Sequence, residues 1–65
     1  MSESRKSKLG RLRAMRKRIR RCSVGSLTWR QLHELHRKLM IEVYPTIGQF
    51  DDEVERLAKT GFYVP

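Results

Sequence analysis

An all-α protein, a small three-helix domain with a basic amphipathic N-terminal helix, is predicted by three observations on the sequence. Apolar residues recur at steps of three and four in three separate stretches. Each stretch is bounded by Ser, Thr, Gly or Pro where helices start or stop. Positive charge is concentrated in the first stretch: residues 1–24 hold ten Lys or Arg against Glu3, and residues 25–65 hold five against six acids. The net charge is +8 over 65 residues, enough chain for a single domain, 1–65. A domain of this size buries only about 60% of its unfolded surface.

The first helix reads from about Ser4 or Ser7 to Cys22, with its basic helical part expected over residues 9–22 and a flexible basic tail over residues 1–8. Leu9, Leu12, Met15, Ile19 and Cys22 fall on one stripe, spanning about 140° at ~100° per residue. Arg and Lys fill the rest of the circumference. Gly10 weakens the pattern by about 1 kcal/mol against alanine, so fraying is expected before Leu12. The Ser23-Val24-Gly25-Ser26 link ends the helix, with Gly25 suited to a left-handed turn.

A second helix is expected over 28–44. Thr28 and Gln31 have capping-box spacing, and Leu27 with Leu32 the spacing of a hydrophobic staple. Trp29, Leu32, Leu35, His36, Leu39, Met40 and Val43 share one face, Ile41 lies opposite, and Pro45 stops the helix.

The third helix is expected over 47–60. Thr46 and Gln49 repeat the capping-box spacing, and Ile47, Phe50, Val54, Leu57 and Ala58 line one face. Asp51, Asp52 and Glu53 complement the dipole of its early turns. Gly61 fits a Schellman ending with Phe62 turned back on Leu57, and Phe62-Tyr63-Val64 forms a short apolar tail.

The charge asymmetry points to a polyanion, because each neutralised phosphate releases condensed counterions. Arg11, Arg13, Arg16, Lys17, Arg18, Arg20 and Arg21 are the expected phosphate contacts, with Ser2–Lys8 adding charge. Arginine outnumbers lysine in this segment, and its planar fork suits bidentate phosphate contacts. Reading of DNA by the third helix as a recognition helix is disfavoured, since Asp51-Asp52-Glu53 at its entering end repels phosphates. Arg18-Ile19-Arg20-Arg21-Cys22, followed by a short polar link and a Leu-rich helix, resembles the start of the small Hha-type nucleoid-associated modulators. The resemblance is confined to that segment, and no residue role is taken from it.

Other chemistries find less support. His33-Glu34-Leu35-His36 places its histidines three apart, where the zincin motif needs four, so no metal site is expected. No nucleophile has a recognisable activating partner, so no enzyme and no cofactor are expected. Trp29, Phe50 and Phe62 occupy helix-face or cap positions and are read as core rather than base-stacking groups. The longest apolar run, Leu39 to Ile41, is far too short to span a membrane, and the first residues lack a secretory leader's apolar segment. With the single cysteine, Cys22, this argues for an intracellular, cytoplasmic protein, nucleoid- or ribosome-associated.

The expected function is thus a small DNA- or RNA-binding regulatory or accessory protein, of the kind phages and plasmids encode. The alternatives are an adaptor or inhibitor docking its basic helix on an acidic surface of a host enzyme or polymerase, and a ribosome-associated accessory protein. Leu32, Leu35, Leu39, Ile41 and Phe62 are the expected partner or dimer surface. A homodimer is favoured because so small a core supplies only about 3–5 kcal/mol.

Overall fold

The computed structural model describes residues 3–63, which form three α-helices: α1 (Arg5–Arg21), α2 (Leu27–Val43) and α3 (Ile47–Lys59). The protein is all-α, and its helices pack into a flat body of 33 × 26 × 15 Å. Helices α1 and α2 form the close pair, and α3 closes over one side of it. Leu12 and Ile19 of α1 meet Leu32, Leu39, Met40 and Val43 of α2, with Leu57 of α3 and Phe62 completing the core. Each such side chain contributes about 1.5–3 kcal/mol when buried. His36 lies among them at 1% exposure, the one buried polar side chain among the described residues.

The first helix starts earlier than the 9–22 span. Ser4 caps it, its hydroxyl accepting from the Ser7 amide at 3.2 Å, so residues 5–8 are helical rather than a flexible tail. Contacts with the end of α2 hold this turn. Arg5 Nε donates to the Val43 carbonyl at 3.5 Å and its guanidinium lies over the Tyr44 ring, 5.6 Å from the centroid. Lys8 pairs with Glu42 at 3.2 Å. These contacts, with Leu9 packed on the core, offset the Gly10 penalty. Ser2 and Val64 lie outside the described residues.

The second helix is capped by Ser26, not Thr28. The Ser26 hydroxyl accepts from the Trp29 amide at 3.2 Å. Gly25, at φ +82°, makes the preceding turn, which the Ser26 amide closes on the Ser23 carbonyl. Capping two residues early turns Leu27 to solvent at 71% exposure, so no staple to Leu32 forms.

The third helix starts as its sequence indicates, with the Thr46 hydroxyl accepting from the Gln49 amide at 3.2 Å. It ends in a Schellman motif: the Gly61 amide bonds the Ala58 carbonyl and the Phe62 amide the Leu57 carbonyl, with Gly61 at φ +82°. Ile47 is 82% exposed despite its place on the apolar face. It is the first residue of α3, beyond the reach of the α1–α2 pair.

Candidate nucleic-acid interface

Helix α1 presents one side to α2 and α3 and the other to solvent. At ~100° per residue, Lys6, Arg13, Lys17, Arg20 and Arg21 fall within about 100° of one another, turned away from Leu12 and Ile19. All five are exposed, as is Arg18 at the edge of the stripe. Among the described residues none of these six forms an ion pair with an acid, whereas Lys8 and Arg11 pair with Glu42 and Glu3. From Lys6 to Arg21 the stripe runs about 22 Å. Like charges this close repel one another in the absence of a counter-charge, so a polyanion laid along α1 is stabilised by their relief.

Two of the expected phosphate ligands are placed differently. Arg11 is exposed but already salt-bridged to Glu3. Arg16 turns inward, half-buried, with Nη1 3.5 Å from His36 Nε2. Burial, and then the charge of Arg56, lower the Arg16 pKa from its usual value. Lys6 takes a place on the stripe rather than in a loose tail. Ser4 signals it, since a cap there brings residues 5–8 into the helix.

Behind the stripe, charged and aromatic groups tie the helices together. Glu53 of α3 is only 10% exposed and pairs with Arg56. Burial pulls its pKa up, but hydrogen bonding from Tyr44 and Arg56 and the positive charges of Arg56 and Arg16 win, and the net shift is downward. Burial, and then the facing Arg16, push His36 down to about 4, so it is neutral at physiological pH. His33 stacks among Trp29, Phe62 and Tyr63, with ring centroids at 4.3, 4.9 and 5.8 Å. Its Nε2 is buried without a hydrogen-bond partner, and burial lowers its pKa. A groove of about 430 Å³ beside it is lined by His33, Glu34, Arg37, Phe50, Val54 and Tyr63.

The expected partner surface divides. Leu32, Leu39 and Phe62 are 7%, 5% and 6% exposed, a correction to their place on a partner surface: the two leucines join the core with Leu12 and Ile19 of α1, and Phe62 turns back onto it after α3. Leu35 and Ile41 remain exposed, at 53% and 51%. Leu35 shares the period of the buried face of α2 but sits at its edge, in solvent. No helix among the described residues is long and apolar enough to cross a membrane, and no three His, Cys, Asp or Glu side chains among them converge as metal ligands. No protein-family model, curated protein or solved structure matches the chain.

Proposed function

We propose that this protein binds nucleic acid through the outer face of α1, as a regulatory or accessory factor rather than an enzyme. The observation that carries the reading is the row Lys6, Arg13, Lys17, Arg20 and Arg21 with Arg18 beside it, exposed on a helix whose opposite side is anchored to the core. Anchoring matters because a preordered row loses less conformational entropy on binding than a disordered basic tail. Phosphates are the natural counter-charge for arginines at this density.

The reading is tested by fluorescence-anisotropy titration with a labelled oligonucleotide at several salt concentrations. With about five phosphate contacts, log K falls with log salt at a slope of about −4 to −5 on a duplex. Binding that barely responds to salt, or no binding at low salt, overturns it.

The exposure of Leu27, Leu35 and Ile41 on α2 favours a second reading, in which the protein docks on an acidic protein surface and α2 adds apolar contact. Here, substitution of Leu35 and Ile41 by serine weakens the complex as much as charge reversal on α1 does, measured by titration calorimetry against the partner.

A further inference from the structure

We infer that the ligand of α1 is a double-stranded sugar–phosphate backbone, gripped without reading of bases. The inference rests on the nucleic-acid reading above and goes further by specifying the form of the polymer. Three observations carry it.

The first is the fate of the aromatic residues. Single-strand binders stack successive bases on aromatic platforms set among their cations. This chain has five aromatic residues, and none of them is exposed. Trp29, Phe62 and Tyr63 close around His33, Phe50 packs on the core, and Tyr44 lies under the Arg5 guanidinium. Only Trp29 and Phe62 approach the stripe, both lining a recess of about 180 Å³ with Arg20 and Cys22. Two rings in one recess at one end of the row do not make a track for consecutive bases.

The second is the shape of the cationic row. Lys6, Arg13, Lys17, Arg20 and Arg21 lie along one continuous helix for about 22 Å. A duplex holds its phosphates in a regular, stiff array at one charge per ~1.7 Å of axis, so a rigid row meets several phosphates at once. A flexible single strand must be ordered to match the same row, and that ordering opposes binding.

The third is the anchoring of α1 along its length. Leu12 and Ile19 are buried against the rest of the protein, Arg5 and Lys8 are tied to the end of α2, and Arg16 reaches inward to His36. Adenine and cytosine edges are read by Asn, Gln, Asp or Glu, and Arg or Lys reads guanine alone. Anchoring leaves only the outer face of α1 to the ligand, and the row there holds Lys and Arg with none of those four, so phosphates suit it at every position and base edges only at guanines.

DNA and RNA duplexes share this chemistry, and the test separates them. The full-length protein is titrated against a labelled DNA duplex, an RNA duplex and the single DNA strand of the same sequence, with a scrambled duplex as a fourth ligand. The intrinsic fluorescence of Trp29, the only tryptophan, is recorded throughout. For about five contacts, the shallower salt dependence of single strands makes the duplex about ten-fold tighter near 0.1 M salt. The expected result is that preference for at least one duplex, scrambled sequence bound equally well, and unchanged Trp29 emission. A preference for DNA or for RNA identifies which duplex the protein uses. Equal or tighter single-strand binding, whatever the Trp29 emission, overturns the inference while leaving the nucleic-acid reading standing. A clear preference for one duplex sequence over its scramble also overturns it. Failure to bind any of the four at low salt overturns both.

Discussion

Arg16 and His36 meet inside the protein, the guanidinium of one 3.5 Å from the imidazole of the other. The pair joins α1 to α2 at a point where each helix, read alone, has a residue of the wrong polarity. It is compatible with folding because the histidine is neutral: burial, then Arg16, hold its pKa at about 4. A neutral imidazole nitrogen can accept from the guanidinium, whereas an imidazolium would repel it.

That depression makes stability depend on pH. The unfolded chain protonates His36 near its ordinary value of 6.5 and the folded chain only near 4. Its contribution is therefore complete above about pH 6.5 and is lost as pH falls toward 4, amounting to about 3 kcal/mol. His33, lowered by burial, acts in the same direction. Urea denaturation across this range shows a steep loss in the parent protein and a shallower one in His36→Gln. An unchanged pH dependence in that variant contradicts the assignment.

Arg16 and its neighbours on the stripe separate binding from folding. Arg16→Ala removes an inward contact and a packed aliphatic stem, costing about 1 kcal/mol of stability while nucleic-acid affinity changes little. Lys17→Glu with Arg20→Glu does the reverse, leaving the melting temperature nearly unchanged and lowering affinity by at least about 100-fold at low salt. The two variants are compared by thermal denaturation and by anisotropy titration. Equal loss of affinity in both returns Arg16 to the interface.

Glu53 fastens α3. Its carboxylate, 10% exposed, is served by Arg56 and Tyr44, and Glu53→Gln weakens that arrangement by about 1–3 kcal/mol at neutral pH. Since its folded pKa lies below the ordinary 4.5, the stabilisation is present above pH 4.5 and disappears as pH falls through the folded value. Parent and variant curves should therefore converge in acid. A constant gap between them at all pH values shows that shape, not charge, holds Glu53 in place.

Gly61 sets the return of the chain onto the core. At φ +82° an alanine is strained by about 1–2 kcal/mol, although nothing stands within 4 Å of an added Cβ. Gly61→Ala should therefore lower stability by that amount, whereas Gly48→Ala, inside α3 with equally open space, should raise it slightly. Chemical denaturation of the two variants checks the contrast, and equal effects rule out the left-handed turn as the cause.

Three helices, the Thr46 cap, the Gly61 ending and most of the core are legible in the residue order, because these depend on periodicity and on hydrogen bonds a few residues apart. So is the excess charge of α1. Tertiary structure decided which edge of each apolar stripe is covered. Periodicity places Leu32, Leu35 and Leu39 on one face of α2, yet α1 covers the first and last and leaves Leu35 in solvent. Periodicity sets Arg16 between Leu9 and Leu12, inside the apolar arc of α1, but only packing shows what a cation there meets: His36 and the field of Glu53. The same packing docks the first turn through Arg5 and Lys8 and so adds Lys6 to the row. A helix carries its side chains at fixed angles, but only the position of its neighbours sets the line between inside and outside, and residues near that line are the ones a sequence leaves undecided.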